Sequence, residues 1–204
     1  MTAPGADTAG VLLAGGRATR MGGRDKAFAD VDGEPIALRT IRLFRTLFPQ
    51  VLVSTQRPER FRDLGVETVA DVFPGCGPLA GIHAAMRASR HARVFVVACD
   101  MPGLTAEPIR YLLARPGDAD AVVPRWEDDI EPLHAVYAVR TLPIVERCLA
   151  SGRHALREFL PLVHVDWVSE VALRAVEGGA RALLNLNTPE ELAAVGGWLP
   201  ETDR

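Results

Sequence analysis

Residues 15–26 hold four glycines (Gly15, Gly16, Gly22, Gly23), three arginines and Lys26, the only lysine in the chain. Four basic residues against Asp25 give this segment +3, inside a protein of net charge −3. Glycines let successive backbone N–H groups turn toward an anion and approach it closely. Arg20 and Lys26 can neutralise the phosphate charge that remains. Of 23 basic residues, every one except Lys26 is arginine. An ammonium retained there points to a need for a compact point charge, which a planar guanidinium does not supply. Two familiar phosphate loops fail the test. Lys26 is followed by Ala27, where a Walker loop needs Ser or Thr, and Gly15 and Gly16 are adjacent, against the spacing of the dinucleotide fingerprint. The segment reads as a phosphate loop of another kind.

Asp100 ends the apolar run 94–99 and precedes Met101-Pro102. A carboxylate held by a strand on one side and solvated on the other suits a hard cation such as Mg2+, which takes few protein carboxylates and keeps phosphate and water oxygens. Asp71 follows another short apolar run and precedes Pro74-Gly75-Cys76-Gly77-Pro78. It can bind a ribose, assist a metal, or simply start a turn.

The elements that must position these groups alternate between strand and helix patterns. Strands are expected at 10–14, 51–55, 66–70, 94–98, 121–124, 134–139, 163–168 and 182–186. Helices are expected at 35–48, 79–90, 105–114, 141–150 and 153–160. In 35–48, Ala37, Ile41, Phe44 and Phe48 form an apolar stripe and Arg39, Arg42 and Arg45 face away from it. Thr105 is the expected N-cap of its helix. A last helix starts at Thr188, with Pro189 at its first position and Glu191 completing a capping box. This alternation predicts an α/β fold, a single three-layer αβα domain with a mostly parallel central sheet covered by helices on both faces. Residues 1–9 are expected to be flexible, 10–199 to form the domain and 200–204 to be a tail. Such sheets bind ligands beyond the carboxyl ends of their strands. The loop at Gly15, Gln56, Asp71 and Asp100 should therefore meet at one rim.

With 24% charged and 48% apolar residues the chain is in the globular range. Its acidic balance argues against an electrostatic nucleic-acid binder. Cys76, Cys99 and Cys148 are odd in number and far apart, which fits a reducing, cytoplasmic setting without a disulfide framework. No apolar run is long enough for a membrane span and residues 1–9 do not read as a signal peptide. His83, His91, His134, His154 and His164 show no ligand spacing and read as structural or exposed. Trp126, Trp167 and Trp198 read as packing residues.

Several motifs in order resemble molybdenum cofactor guanylyltransferases (MobA proteins), within the Rossmann-like nucleotidyltransferase superfamily. They are Leu13-Ala14-Gly15-Gly16…Arg20-Met21-Gly22…Asp25-Lys26, Gly77-Pro78-Leu79-Ala80-Gly81, Cys99-Asp100-Met101-Pro102, Pro132-Leu133-His134-Ala135-Val136-Tyr137, and Asn185-Leu186-Asn187-Thr188-Pro189-Glu190-Glu191-Leu192. The resemblance implies transfer of GMP from GTP to Mo-molybdopterin, giving Mo-molybdopterin guanine dinucleotide and pyrophosphate, with Mg2+ as cofactor. It implies that Leu13, Ala14, Gly15 and Gly16 line the GTP and that Lys26, with Arg20, contacts its phosphates. It also places Asp71 on the nucleotide, Asp100 on Mg2+, and Pro78, Leu79 and Gly81 near the guanine. Asn185 and Asn187 fall on the pterin side. Cofactor-delivery and molybdoenzyme-maturation proteins are the partners it suggests. Two positions depart from the family pattern. Gln56 stands where Asn is common, moving the amide by one methylene. Residues 126–131 (Trp126-Glu127-Asp128-Asp129-Ile130-Glu131) are acidic, and read as a solvated surface run in preference to a loop on the acceptor side.

Overall fold

A computed structural model of the chain describes residues 5–15, 26–126, 129–186, 188–194 and 197–198. Its elements in chain order are β1 (Thr8–Leu13), β2 (Asp30–Val31), β3 (Glu34–Pro35), α1 (Ile36–Leu47), β4 (Gln50–Ser54), β5 (Glu67–Val69), α2 (Pro78–Ala88), β6 (Arg93–Ala98), α3 (Ala106–Leu113), β7 (Ala121–Trp126), β8 (Asp129–Ile130), β9 (His134–Ala138), α4 (Leu142–Ala150), α5 (Leu156–Phe159), β10 (Val165–Val168), α6 (Glu170–Arg174), α7 (Gly179–Ala182) and α8 (Pro189–Ala194).

The central sheet has the order β10-β7-β9-β6-β1-β4-β5, with β8 hydrogen-bonded to β7. β1 lies parallel to both β4 and β6, β4 parallel to β5, and β10 parallel to β7. β9 runs antiparallel to both of its neighbours, β6 and β7. The expected mostly parallel sheet is therefore a mixed one, in which β9 is inserted against the common direction. From β1 the chain goes to β4 on one side and later returns to β6 on the other. That reversal opens a crevice at the carboxyl ends of β1 and β6, where sheets of this kind take their ligands.

Alternation along the strands builds a core on each face. Ala9, Val11 and Leu13 of β1 and Val94 and Val96 of β6 join Leu79, Ile82 and Met86 of α2 and Val145, Cys148 and Leu149 of α4. Leu12 of β1 and Phe95 and Val97 of β6 turn the other way, to Ile41 and Phe44 of α1 and Ile109 and Leu112 of α3. The stripe expected on α1 is the face that packs, with Ala37, Ile41 and Phe44 fully buried and Phe48 nearly so. Phe44 meets Phe48 and Phe95 edge-to-face and Phe48 stacks on Phe95, with centroids 5.1–5.8 Å apart. Gly10 is required there, because a Cβ would lie 2.4 Å from the Phe48 ring.

Some expectations change. β1 begins at Thr8, which is fully buried with Ala9, so the ordered domain reaches into the segment read as flexible. The strand expected at 182–186 is the end of α7 and an irregular stretch. Ala and Leu there serve a helix as readily as a strand; Ala182 and Leu184 N–H bond back to Gly178 and Arg181, and Leu186 N–H bonds the Asp100 carbonyl at 2.8 Å. Thr105 stands at the N-cap of α3 but its side chain makes no capping bond. The capping box of α8 forms as expected. Glu191 N–H donates to Thr188 Oγ1 and Thr188 N–H donates to Glu191 Oε2, both at 3.1 Å. The β2–β3 hairpin turns through Asp32 and Gly33, both at positive φ. That Asp-Gly pair was its available signal.

Candidate functional site

Lys26 opens a single 3-10 turn, Lys26–Phe28, anchored by the fully buried Ala27. Its Nζ donates to the Leu186 carbonyl at 2.9 Å and lies 3.3 Å from Asp100 Oδ2. About a fifth of each side chain of this pair is in solvent. Asp100 stands two residues beyond β6, after Cys99 whose N–H still bonds the Leu13 carbonyl at 3.2 Å, so the sheet sets where its carboxylate stands. Three segments distant in sequence thus meet at one point: the end of the loop 15–26, the end of β6, and the chain after α7.

On one flank lie the ends of β1 and β4 and Asp71, two residues beyond β5. Ala14 N–H donates to the Ser54 carbonyl at 2.9 Å, continuing the ladder past β1. Ser54 Oγ donates to Asp71 Oδ1 at 3.1 Å. Ser54 is buried, and Gly81 of α2 packs against it so closely that a Cβ would lie 2.9 Å from Ser54 Oγ and 3.0 Å from Leu13 Cδ2. Ser54 escaped the sequence reading because a serine at a strand end has no signature of its own. Leu13 and Ala14 are mostly buried, Gly15 is exposed, and Gln56 is exposed just beyond β4. Pro78 is exposed at the first position of α2, preceded by Gly77 at φ +71°. The Leu79 side chain is fully buried in the core and packs α2 on the sheet, which leaves its backbone at the start of the helix to face the flank. Gly81 is likewise buried, and its evident role is close approach.

On the other flank Asn185 and Glu131 face each other. Asn185 Nδ2 donates to Glu131 Oε2 at 2.9 Å, and Leu133 N–H donates to Glu131 Oε1 at 3.1 Å. Burial pushes the Glu131 carboxyl up, the two hydrogen bonds oppose this, and the negative charges of Asp100 and Asp129 add to the rise. Glu131 was read as part of a solvated acidic run, and the structure corrects that. The hairpin β7–β8 pairs Trp126 with Asp129, Asp129 forms an ion pair with Arg157, and Glu131 turns inward. Trp126 packs on the core with the Arg174 guanidinium 4.4 Å from its ring centroid.

Gly16, Arg20, Asp25, Asn187, Glu127 and Asp128 lie outside the described residues. The expected meeting at one rim holds for Asp100 with the end of the loop at Lys26, and separately for Asp71 with the β4 end. Among the described residues no group of three or more His, Cys, Asp or Glu side chains could cage a metal. Asp100 is a single hard oxygen donor, which fits an ion that keeps most of its shell for phosphate and water. His83 is buried with Nε2 3.3 Å from Glu146 Oε1. His134 is buried in β9 with neither ring nitrogen bonded, and burial pushes it down to about 3. Both are structural. No described helix is long and apolar enough to cross a membrane.

The three-layer arrangement is that of a nucleotidyltransferase. It superposes on the crystal structure of molybdopterin-guanine dinucleotide biosynthesis protein A from Archaeoglobus fulgidus with a TM-score of 0.79, at 25% identity, covering 92% of this chain and 96% of that one. A probable molybdenum cofactor guanylyltransferase from Pelotomaculum thermopropionicum is 39% identical over 183 residues, 90% of this chain and 89% of that protein. A molybdenum cofactor guanylyltransferase from Pseudomonas putida is 37% identical over 188 residues, 89% of this chain and 94% of that protein. The MobA-like NTP transferase domain matches residues 10–185, and the chain belongs to that family.

Proposed function

We propose that this protein is a molybdenum cofactor guanylyltransferase: it transfers GMP from GTP to Mo-molybdopterin and releases pyrophosphate. The observation that carries the reading is the junction of Lys26, Asp100 and Leu186 at the crevice between β1 and β6, where family membership calls for a triphosphate. Nucleotide is assigned to the flank of Leu13, Ala14, Gly15, Gly16, Gln56, Asp71 and Pro78. The pterin is assigned to the flank of Asn185 and Asn187.

The terminal phosphate of molybdopterin attacks the α-phosphorus of GTP. A new P–O bond forms, the bond to the bridging oxygen of the β-phosphate breaks, and pyrophosphate leaves. The nucleophile is already ionised at neutral pH, so positioning and charge neutralisation do the work. Lys26 and Arg20 hold the charge that grows on the departing pyrophosphate. Asp71, fixed by Ser54, holds the nucleotide. Asp100 would hold Mg2+. Bound there, the ion would supply Lewis-acid neutralisation of phosphate oxygens. Function in the cytoplasm, beside proteins that deliver the cofactor and mature molybdoenzymes, follows from this reading.

The test is pyrophosphate release with Mg2+, molybdopterin cofactor and GTP or CTP in parallel. Preference for GTP is expected, and preference for CTP would overturn the guanylyl assignment. Asp100→Ala should lose activity together with its response to Mg2+. A variant that kept that response would place the ligand elsewhere.

A further inference from the structure

Glu131 is a carboxylate turned into the molecule with two hydrogen-bond donors and no cation beside it among the described residues. Two other acids, Asp100 and Asp129, are close enough to raise the cost of its charge. Such a placement is unfavourable unless the group has work to do there. Its oxygens are divided between two tasks. Oε1 accepts from Leu133 N–H, which ties the carboxylate to the start of the β9 strand. Oε2 accepts from Asn185 Nδ2.

The second bond decides how Asn185 is presented. An amide can offer either its NH2 or its carbonyl in a given direction, and the choice follows from its partners. A carboxylate has no proton to give, so it forces the NH2 side of Asn185 toward Glu131. The carbonyl Oδ1 must then face away from Glu131, and no described residue takes it. Asn185 is also fixed along the chain, since the next residue, Leu186, bonds the Asp100 backbone through its N–H and Lys26 through its carbonyl.

We infer that Glu131 is a positioning residue for the acceptor. It locks the Asn185 amide so that Oδ1 is shown to the pterin, whose 2-amino-4-oxo-pyrimidine edge is rich in N–H donors. The inference rests on the guanylyltransferase reading and adds to it the group that sets acceptor recognition.

Exchange of the two side-chain chemistries tests it. Glu131→Gln keeps size and keeps an acceptor for Leu133, but it places an NH2 against the NH2 of Asn185. The asparagine amide must turn over, and it then shows donors to the pterin. Asn185→Asp alone places two carboxylates 2.9 Å apart. In the double variant the introduced glutamine donates to the introduced aspartate, which again shows an acceptor to the ligand. Molybdopterin affinity, read from pterin fluorescence under anaerobic conditions, should fall about tenfold or more in each single variant and recover to within about threefold in the double, as a buried donor regains its partner. KM for GTP should stay within about twofold throughout, because the nucleotide lies on the other flank. A structural role alone would lower both affinities together and give no recovery. Unchanged molybdopterin affinity in Glu131→Gln, or a double variant no better than the singles, would overturn the inference while leaving the function intact. A wild type that neither bound molybdopterin nor released pyrophosphate from GTP would overturn both.

Discussion

Replacing Lys26 should separate charge from shape at the phosphate loop. In Lys26→Ala the ion pair with Asp100 and the bond to the Leu186 carbonyl disappear. The pair is partly solvated, so its net worth is about 1 kcal/mol or less. The charged bond to Leu186 adds at most about 1.5–3 kcal/mol, less some return because the carbonyl can be rehydrated. A net loss of about 1–2 kcal/mol should lower the Tm by roughly 2–8 °C for a domain of this size and leave the fold intact. Turnover is on a different scale. Removing one preorganised charge from a leaving group costs about 10²–10³ in kcat. Lys26→Arg keeps the charge but offers Asp100 a planar fork, which grips a carboxylate through two bonds. The charge is then held at Asp100 and spread away from the triphosphate. Arginine should therefore restore the Tm while kcat stays down by about tenfold or more. Single-turnover pyrophosphate release, run beside thermal melts, gives both numbers. A Lys26→Arg enzyme with wild-type kcat would refute the need for an ammonium, and with it the reasoning from the lone lysine.

Two further perturbations probe the frame around the site. Gly81→Ala should destabilise the protein by about 1–2 kcal/mol, since overpacking outweighs the gain of about 1 kcal/mol in helix propensity. In a Ser54→Ala background the 2.9 Å clash with Oγ is gone and the 3.0 Å approach to Leu13 Cδ2 remains, so the same change should cost measurably less in urea titrations. Equal effects in both backgrounds would refute the contact. His134 is a base whose folded value, about 3, lies below its unfolded value of 6.5. Its contribution is complete above pH 6.5, and stability is lost as pH falls, by about 1.4 kcal/mol per unit until the folded value is reached. His134→Leu should flatten the urea midpoint between pH 6.5 and 5, where the carboxylates held low by their partners (Asp7 by Arg93, Asp120 by the His164 N–H and then Arg140, Asp166 by Arg115) do not yet titrate. An unchanged slope would show that the imidazole gains a proton in the folded state.

Much of the fold was legible because it rests on local periodicity. The α1 stripe, the apolar β6 strand and the Thr188–Glu191 box each follow from spacing alone. β9 was placed as a strand but its direction was not legible, since alternation looks the same either way along a chain. The strand expected at 182–186 did not form, because Ala-Leu-Leu satisfies both patterns: α7 ends at Ala182 and the rest is irregular, and what sets that helix is how Gly178 and Gly179 nest against Thr105 and Leu173. In the site, Lys26 and Asp100 were legible by type and by position after a strand. Glu131 was not. It sits in a run of acids, and its neighbours on the sequence suggest solvent. Its surroundings are set by Asn185, 54 residues away.

The net charge of −3 can be reconciled with a polyanionic substrate through this same geometry. Of the acids nearest the crevice, Asp100 is matched by Lys26, whereas Asp71 accepts from the neutral Ser54 hydroxyl and Glu131 from two neutral N–H groups, each out on a flank. Exposed acids elsewhere, such as Asp129 and Glu146, are matched by Arg157 and Arg87. Within a Debye length of about 8 Å at physiological salt, local pairing outweighs the sum over the surface. An extended polyanion would meet that sum, whereas a single nucleotide, on the proposed reading, would meet the segment 15–26, whose sequence carries +3. Lys26 marks where that positive loop ends, and through Leu186 it also fixes the segment that carries Asn185. On the proposed reading, the cation for one substrate and the amide for the other are thus set by adjacent residues, Leu186 and Asn185, under one hydrogen-bonded junction.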